Sequence, residues 1–237
     1  ADATGPMAHF FRRNYRHWLW TGGAILIFDD VLAHEDGRLD WLLHYDGKAE
    51  AGGNLVRLTN GAGSAEVRFL FPTELTSLEE TGLADHEPSR KVPYLVLSAQ
   101  TAARQQKFVV AIVPGGQAQP PSIEPLSARD ALGVRLRHGG EVTDVYLNLQ
   151  ADGRRMHENT NNIIEGWDTD AYLFAVTRPE ASAEATPDNV TRAFVSSGSY
   201  LRKSGQVILD SLSKVEAVWR PGTTTEVLIE GQDVIEA

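Results

Sequence analysis

Residues 14–47 read NYRHWLWTGGAILIFDDVLAHEDGRLDWLLHYDG, strand-like runs separated by the turn signals Gly22-Gly23 and Asp36-Gly37. Two-residue loops of this composition favour type I′ hairpins, whose positive φ angles match the twist of the flanking strands. With Asp36-Gly37 as one such loop, Glu35 pairs with Arg38 and Asp29 lies opposite His44. With Gly22-Gly23 as the other, Thr21 pairs with Ala24 and Arg16 lies opposite Asp29; a loop one residue longer puts His17 there instead. Ile27 and Val31 flank Asp29 on its own face. A carboxylate in such an apolar row needs a partner, because burying it alone is costly.

Two meanings compete for this row. One is a buried ion pair with a hydrogen-bonded histidine that holds the strands in register. The other is a site: His17, Asp29 and His44 on adjacent strands could hold zinc with an open coordination position. With Arg16 in place of His17 the metal reading fails, because a guanidinium does not ligate.

The rest of the chain repeats the same period of two. The pattern places strands at 9–20, 24–33, 38–46, 54–59, 65–71, 94–101, 107–113, 131–138, 142–150, 169–178, 190–196, 199–202, 206–211, 213–220 and 223–229. Glycine-bearing turns such as NGAGS, HGGE, SSGS and KSGQ separate many of them. The best helical candidate, PTELTSLEETGL (72–83), reads as a helical turn or a long acidic loop. So many short strands without crossover helices predict an all-β fold, a large antiparallel two-sheet β-sandwich with little or no helix. Residues 1–237 read as one such domain. The segments 74–93, 114–125, 153–162 and 178–189 read as excursions from it.

Hydrophobic residues make up 42% of the chain and charged residues 23%, the balance of a globular protein with a real core. The net charge of −10 disfavours nucleic acid and anionic membrane as partners. Cysteine is absent, which removes disulfides, thiolate metal sites and cysteine nucleophiles. No apolar run is long enough for a spanning helix. The start, ADATGPMAHFF, carries no signal-peptide pattern and no initiator methionine, and the expectation is a processed chain or a portion of a longer one. Nucleophile elbows, H-E-x-x-H pairs and phosphate-binding glycine loops are missing, which disfavours the common hydrolases, metalloproteases and nucleotide enzymes.

Other side chains offer weaker candidates. Arg12 and Arg13, beside Tyr15, could grip carboxylates of a ligand or simply stand on the outer face of a strand. Tyr45 could act as an acid or base if it faced a cleft, but it shares a face with Phe28 and Trp41, which points to core. His157, Glu158, Asn159, Asn161 and Asn162 form a polar loop suited to ligand hydroxyls or to water. His34, His86 and His138 read as surface residues. Trp18, Trp20, Trp41, Trp167 and Trp219 could offer a stacking platform, although core is the default at strand positions.

The stretch YRHWLWTGGAILIFDDVLAHEDGRLDWLLH (15–44) resembles the start of the C-terminal β-domain of heparinase II/III-like polysaccharide lyases. In that pattern an Arg-bearing strand leads to a turn, an apolar strand ends in Asp, and a third strand ends in W-L-L-H. Arg16, Ile25–Asp29 and Trp41–His44 match it, and ADAT resembles the short strand before it. VRFLFP (67–72), KFVVAIVPG (107–115), GVRLRH (133–138), DAYLFAVTR (170–178) and GSYLRKSG (198–205) fit the same domain more loosely.

The resemblance implies an acidic polysaccharide as substrate, an α/α toroid domain of the same protein as partner, and a periplasmic or extracellular location in a bacterium. It implies cleavage by β-elimination: a base removes the C5 proton of a uronate, polar side chains neutralise its carboxylate, and an acid assists departure of the C4 oxygen. Within this chain, Tyr45 and Arg16 are the candidates for catalysis, and Arg12, Arg13, His157 and Asn159 for substrate binding. It also implies one structural zinc, with Asp29 and His44 at the second and third ligand positions. The first ligand has no clean match; His9 and His17 are nearest. The toroid, with most of the catalytic groups, lies outside these residues, so the chain is not expected to be active alone. The alternative expectation is a non-catalytic carbohydrate-binding or structural β-sandwich.

Overall fold

The computed structural model describes residues 2–84, 87–99, 102–151, 161–222, 226–228 and 235–236. Among them the chain is all-β, with antiparallel sheets and no helix. It divides into two compact units, Ala1–Pro121 and Ser122–Ala237.

The first unit contains β1 (Phe11–Thr21), β2 (Ala24–Gly37), β3 (Asp40–His44), β4 (Lys48–Gly52), β5 (Leu55–Asn60), β6 (Gly63–Phe71), β7 (Leu75–Ala84), β8 (Glu87–Ala99) and β9 (Ala103–Pro114). Six of these form one sheet in the order β1-β2-β9-β6-β5-β4, and three form a second in the order β3-β8-β7. Alternate residues of a strand point to opposite faces. Ile27, Val56, Val67, Phe69, Phe108 and Val110 from the larger sheet therefore meet Trp41, Leu95 and Leu97 from the smaller one in a shared core. This is a two-sheet sandwich.

The first hairpin has the register its turn residues predict. Gly22 and Gly23 take positive φ angles of 54° and 76°, Thr21 pairs with Ala24, and Arg16 lies opposite Asp29. The second hairpin does not form. The partner of β2 on its other side is β9, with Phe108 opposite Asp29, whereas β3 leaves for the other sheet and sets His44 opposite Tyr94. The apolar run of β9 supplies a longer and better buried partner than five residues of β3, and that non-local pairing overrides the local Asp-Gly signal. The segment 72–83 is likewise not a helical turn or loop: β7 pairs with β8 along its length. As an edge strand it tolerates acidic residues, which also discourage pairing with other chains.

The second unit contains β10 (Ser122–Ala128), β11 (Ala131–His138), β12 (Glu141–Asn148), β13 (Asn162–Ile164), β14 (Trp167–Thr169), β15 (Leu173–Pro179), β16 (Arg192–Lys203), β17 (Gln206–Trp219), β18 (Glu226–Leu228) and β19 (Ile235–Glu236). They form one sheet in which β16 pairs with β15 through its first half and with β14 through its last residues. Register shifts around Gly198 bend β16 between the two partners. Tyr146, Trp167, Phe174, Val195 and Leu201 belong to the core this sheet encloses.

Candidate functional site

Asp29 stands on the inner face of the larger sheet of the first unit, where its side chain is only 5% exposed. Arg16, directly across from it on β1, grips it with two bonds, Nε to Oδ1 at 2.6 Å and Nη2 to Oδ2 at 2.7 Å. The indole of Trp41, reaching over from β3, donates Nε1–H to Oδ2 at 2.7 Å. Both carboxylate oxygens are thus engaged by charge-assisted or buried donors, the condition under which a buried carboxylate is tolerated. The guanidinium lies between two rings, 5.3 Å from the Trp41 centroid and 5.8 Å from that of Trp18. Cation–π attraction of this kind holds its plane in place.

The next residue, Asp30, points to the opposite face and is 1% exposed. It sits 2.9 Å from Nε of Arg13 and 2.7 Å from Nζ of Lys107. Burial lowers the pKa of Lys107, and Asp30 pulls it back up. On the same strand as Arg13, His17 is held down to about 4, chiefly by burial, with Asp30 and Asp29 acting in the other direction. Sequence reasoning overlooked this second cluster. Its signal was the doublet Asp29-Asp30 inside an apolar strand: adjacent residues face opposite ways, so each carboxylate needs its own cation.

The zinc set implied by the resemblance is not brought together. Asp29 is occupied by Arg16 and Trp41, His17 lies opposite Phe28 rather than Asp29, and His44 is exposed on the other sheet with its ring stacked on Tyr94 at 5.1 Å. Among the described residues no group of three or more His, Asp or Glu is placed to hold a metal. The donor set does not fit zinc. Tyr45 is buried in the sandwich core, and burial followed by a hydrogen bond with Glu79 raises its pKa. It faces no cleft. Arg12 is exposed and donates to His34 Nδ1 at 3.4 Å. His157 and Asn159 lie outside the described residues, as do His86 and Glu158.

Among the described residues of the first unit, a groove and a row of indoles face solvent. The outer face of the β3-β8-β7 sheet carries a groove of about 460 Å³ lined by Arg38, Asp40, Leu42, Leu78, Tyr94 and Val96. Along β1, Trp18 is 55% and Trp20 77% exposed, whereas Trp41 and Trp167 are 4% and 1% exposed and Trp219 packs against the core of its own unit. Indoles in a folded chain are mostly buried, so two exposed ones in a row on one strand call for an explanation. Comparison with family models and with curated proteins gives no match for this chain.

Proposed function

We propose that this chain is the β-sandwich portion of a heparinase II/III-like lyase that acts on uronate-containing polysaccharide together with a toroid domain of the same protein, in the periplasm or outside the cell. One observation supports this reading above the others. Three of the residues that carry the resemblance, Arg16, Asp29 and Trp41, meet at a single point where two sheets face each other, while His44 lies apart from it. These three side chains form a packing unit of the fold, which supports reading the pattern as one motif.

In this role the chain supplies a rigid frame. Tyr45 is enclosed and Arg16 is committed to Asp29, so neither takes a proton from a substrate. Proton abstraction at C5 and protonation of the leaving oxygen then fall to groups of the toroid. The second reading, a carbohydrate-binding sandwich without chemistry of its own, draws on the exposed Trp18 and Trp20. The two part in a lyase assay on the protein with every residue its reading frame encodes, using a panel of uronate polysaccharides and following the ultraviolet absorbance of unsaturated uronate. Product from one of them supports the lyase. Binding without product from any of them leaves the binding module.

A further inference from the structure

We infer that the β1 edge of the first unit is a glycan-binding platform, in which Trp18 and Trp20 stack on consecutive sugars of an extended uronate-containing chain and the outward edge of Arg16 attracts their carboxylates; this rests on the carbohydrate reading above.

Residues two apart on a strand share a face about 6.8 Å apart, roughly the width of one sugar ring. Arg16, Trp18 and Trp20 thus form a straight row, and pairing opposite Asp29, Ile27 and Ile25 fixes it. β1 is the edge strand of its sheet; residues 2–4 bridge to it at Asn14 and Tyr15, and among the described residues no further strand pairs with it at Trp18 and Trp20. The indoles are 55% and 77% exposed, and their flat apolar faces suit the C–H faces of pyranose rings.

Charge selects among glycans. The chain carries −10 overall, yet the charged group that reaches solvent in the row of the indoles is a cation, Arg16. The ion pair beside the indoles is also oriented. The Asp29 side chain is 5% exposed and that of Arg16 39%, so the pair turns its positive end to solvent. Two bonds to Asp29 hold that guanidinium still, and Trp18 lies against it at 5.8 Å. A platform assembled before the ligand arrives loses little freedom on binding. A neutral glycan would gain the stacking and nothing from the cation.

The test titrates the purified chain with hyaluronan and alginate hexasaccharides and with neutral cellohexaose, followed by calorimetry and tryptophan emission. Trp18→Ala and Trp20→Ala are titrated beside it. The expected result is binding of an acidic hexasaccharide with a change in emission, weakened about tenfold or more in each variant and for cellohexaose. The thermal midpoint of Trp20→Ala should match wild type, because its ring is mostly in water. Acidic glycan bound equally by wild type and variants overturns the platform and leaves the carbohydrate reading standing. No glycan bound overturns the inference, and a dimer that sediments as monomer once Trp20 is replaced makes the surface an interface between copies instead. Binding that behaves as expected in a full-length protein without lyase activity sustains the platform and removes the lyase.

Discussion

Arg16 and Asp29 face each other across the first hairpin and are joined by two parallel bonds of 2.6 and 2.7 Å, so one ion pair ties the edge strand to its neighbour. Trp41 adds a tie from the facing sheet through the same carboxylate. This small group links three strands and both layers of the sandwich.

Replacing Asp29 with Asn leaves the guanidinium without its counter-charge. The expected loss is about 3 kcal/mol, at the lower end for a broken buried pair because the outer edge of Arg16 still reaches water. Trp41→Phe removes one donor and should cost about 1.5 kcal/mol. The double variant should lose less than the sum, since both act on one carboxylate. Urea denaturation of the four proteins measures all three quantities; additive losses would separate Trp41 from the pair.

The cluster around Asp30 predicts a pH dependence. His17 titrates near 6.5 when unfolded and at about 4 when folded. Between those values the unfolded chain binds a proton that the folded chain does not. Stability contributed by His17 is therefore complete above about pH 6.5, falls as pH drops toward 4, and levels off below. The full shift corresponds to about 3 kcal/mol, lessened by solvent screening at the partly exposed ring. His17→Gln should flatten this part of the stability profile, as read from urea midpoints across the range. An unchanged slope would assign the titration to another group.

Added zinc should leave the thermal midpoint of the chain unmoved, because a ligand stabilises only the state that binds it and Asp29 is already occupied. A midpoint that rises with zinc and no longer does so in His44→Ala would contradict the geometry of this node.

Gly198 sits where β16 bends. A Cβ there would stand 2.6 Å from Cα and Cβ of Ala171 and 2.9 Å from Cγ1 of Val195. Backbone cannot yield as a flexible side chain would, so Gly198→Ala should cost about 2–3 kcal/mol. The substitution should also lower the thermal midpoint, measurable by circular dichroism.

How much of this was legible beforehand depends on distance along the chain. Gly22-Gly23 fixes its own hairpin, so the position of Arg16 opposite Asp29 could be read from two residues and a parity rule. The Asp36-Gly37 signal was equally good locally, yet β2 runs through it to Gly37 and pairs with a strand some seventy positions later. Nothing near Asp29 announces Phe108 as its neighbour. The same holds for Asp30, whose cation Lys107 comes from that distant strand. For Trp18 and Trp20 the pattern shows only which face they share. Whether the face is covered depends on how far the smaller sheet extends, and strand length and sheet order decide that.

The central position of β9 bears on how the protein is made. It is the ninth strand in the chain, but it lies between β2 on one side and β6 on the other. A ribosome that has released residues up to 100 has therefore produced a two-stranded piece and a three-stranded piece, each with a bare apolar edge awaiting the same insert. Closing that gap spans most of the first unit in sequence, a slow non-local step. Chains that stall or are cut before Pro114 should pair with one another through those edges instead of folding, so expression of this unit should tolerate extension at its end far better than truncation.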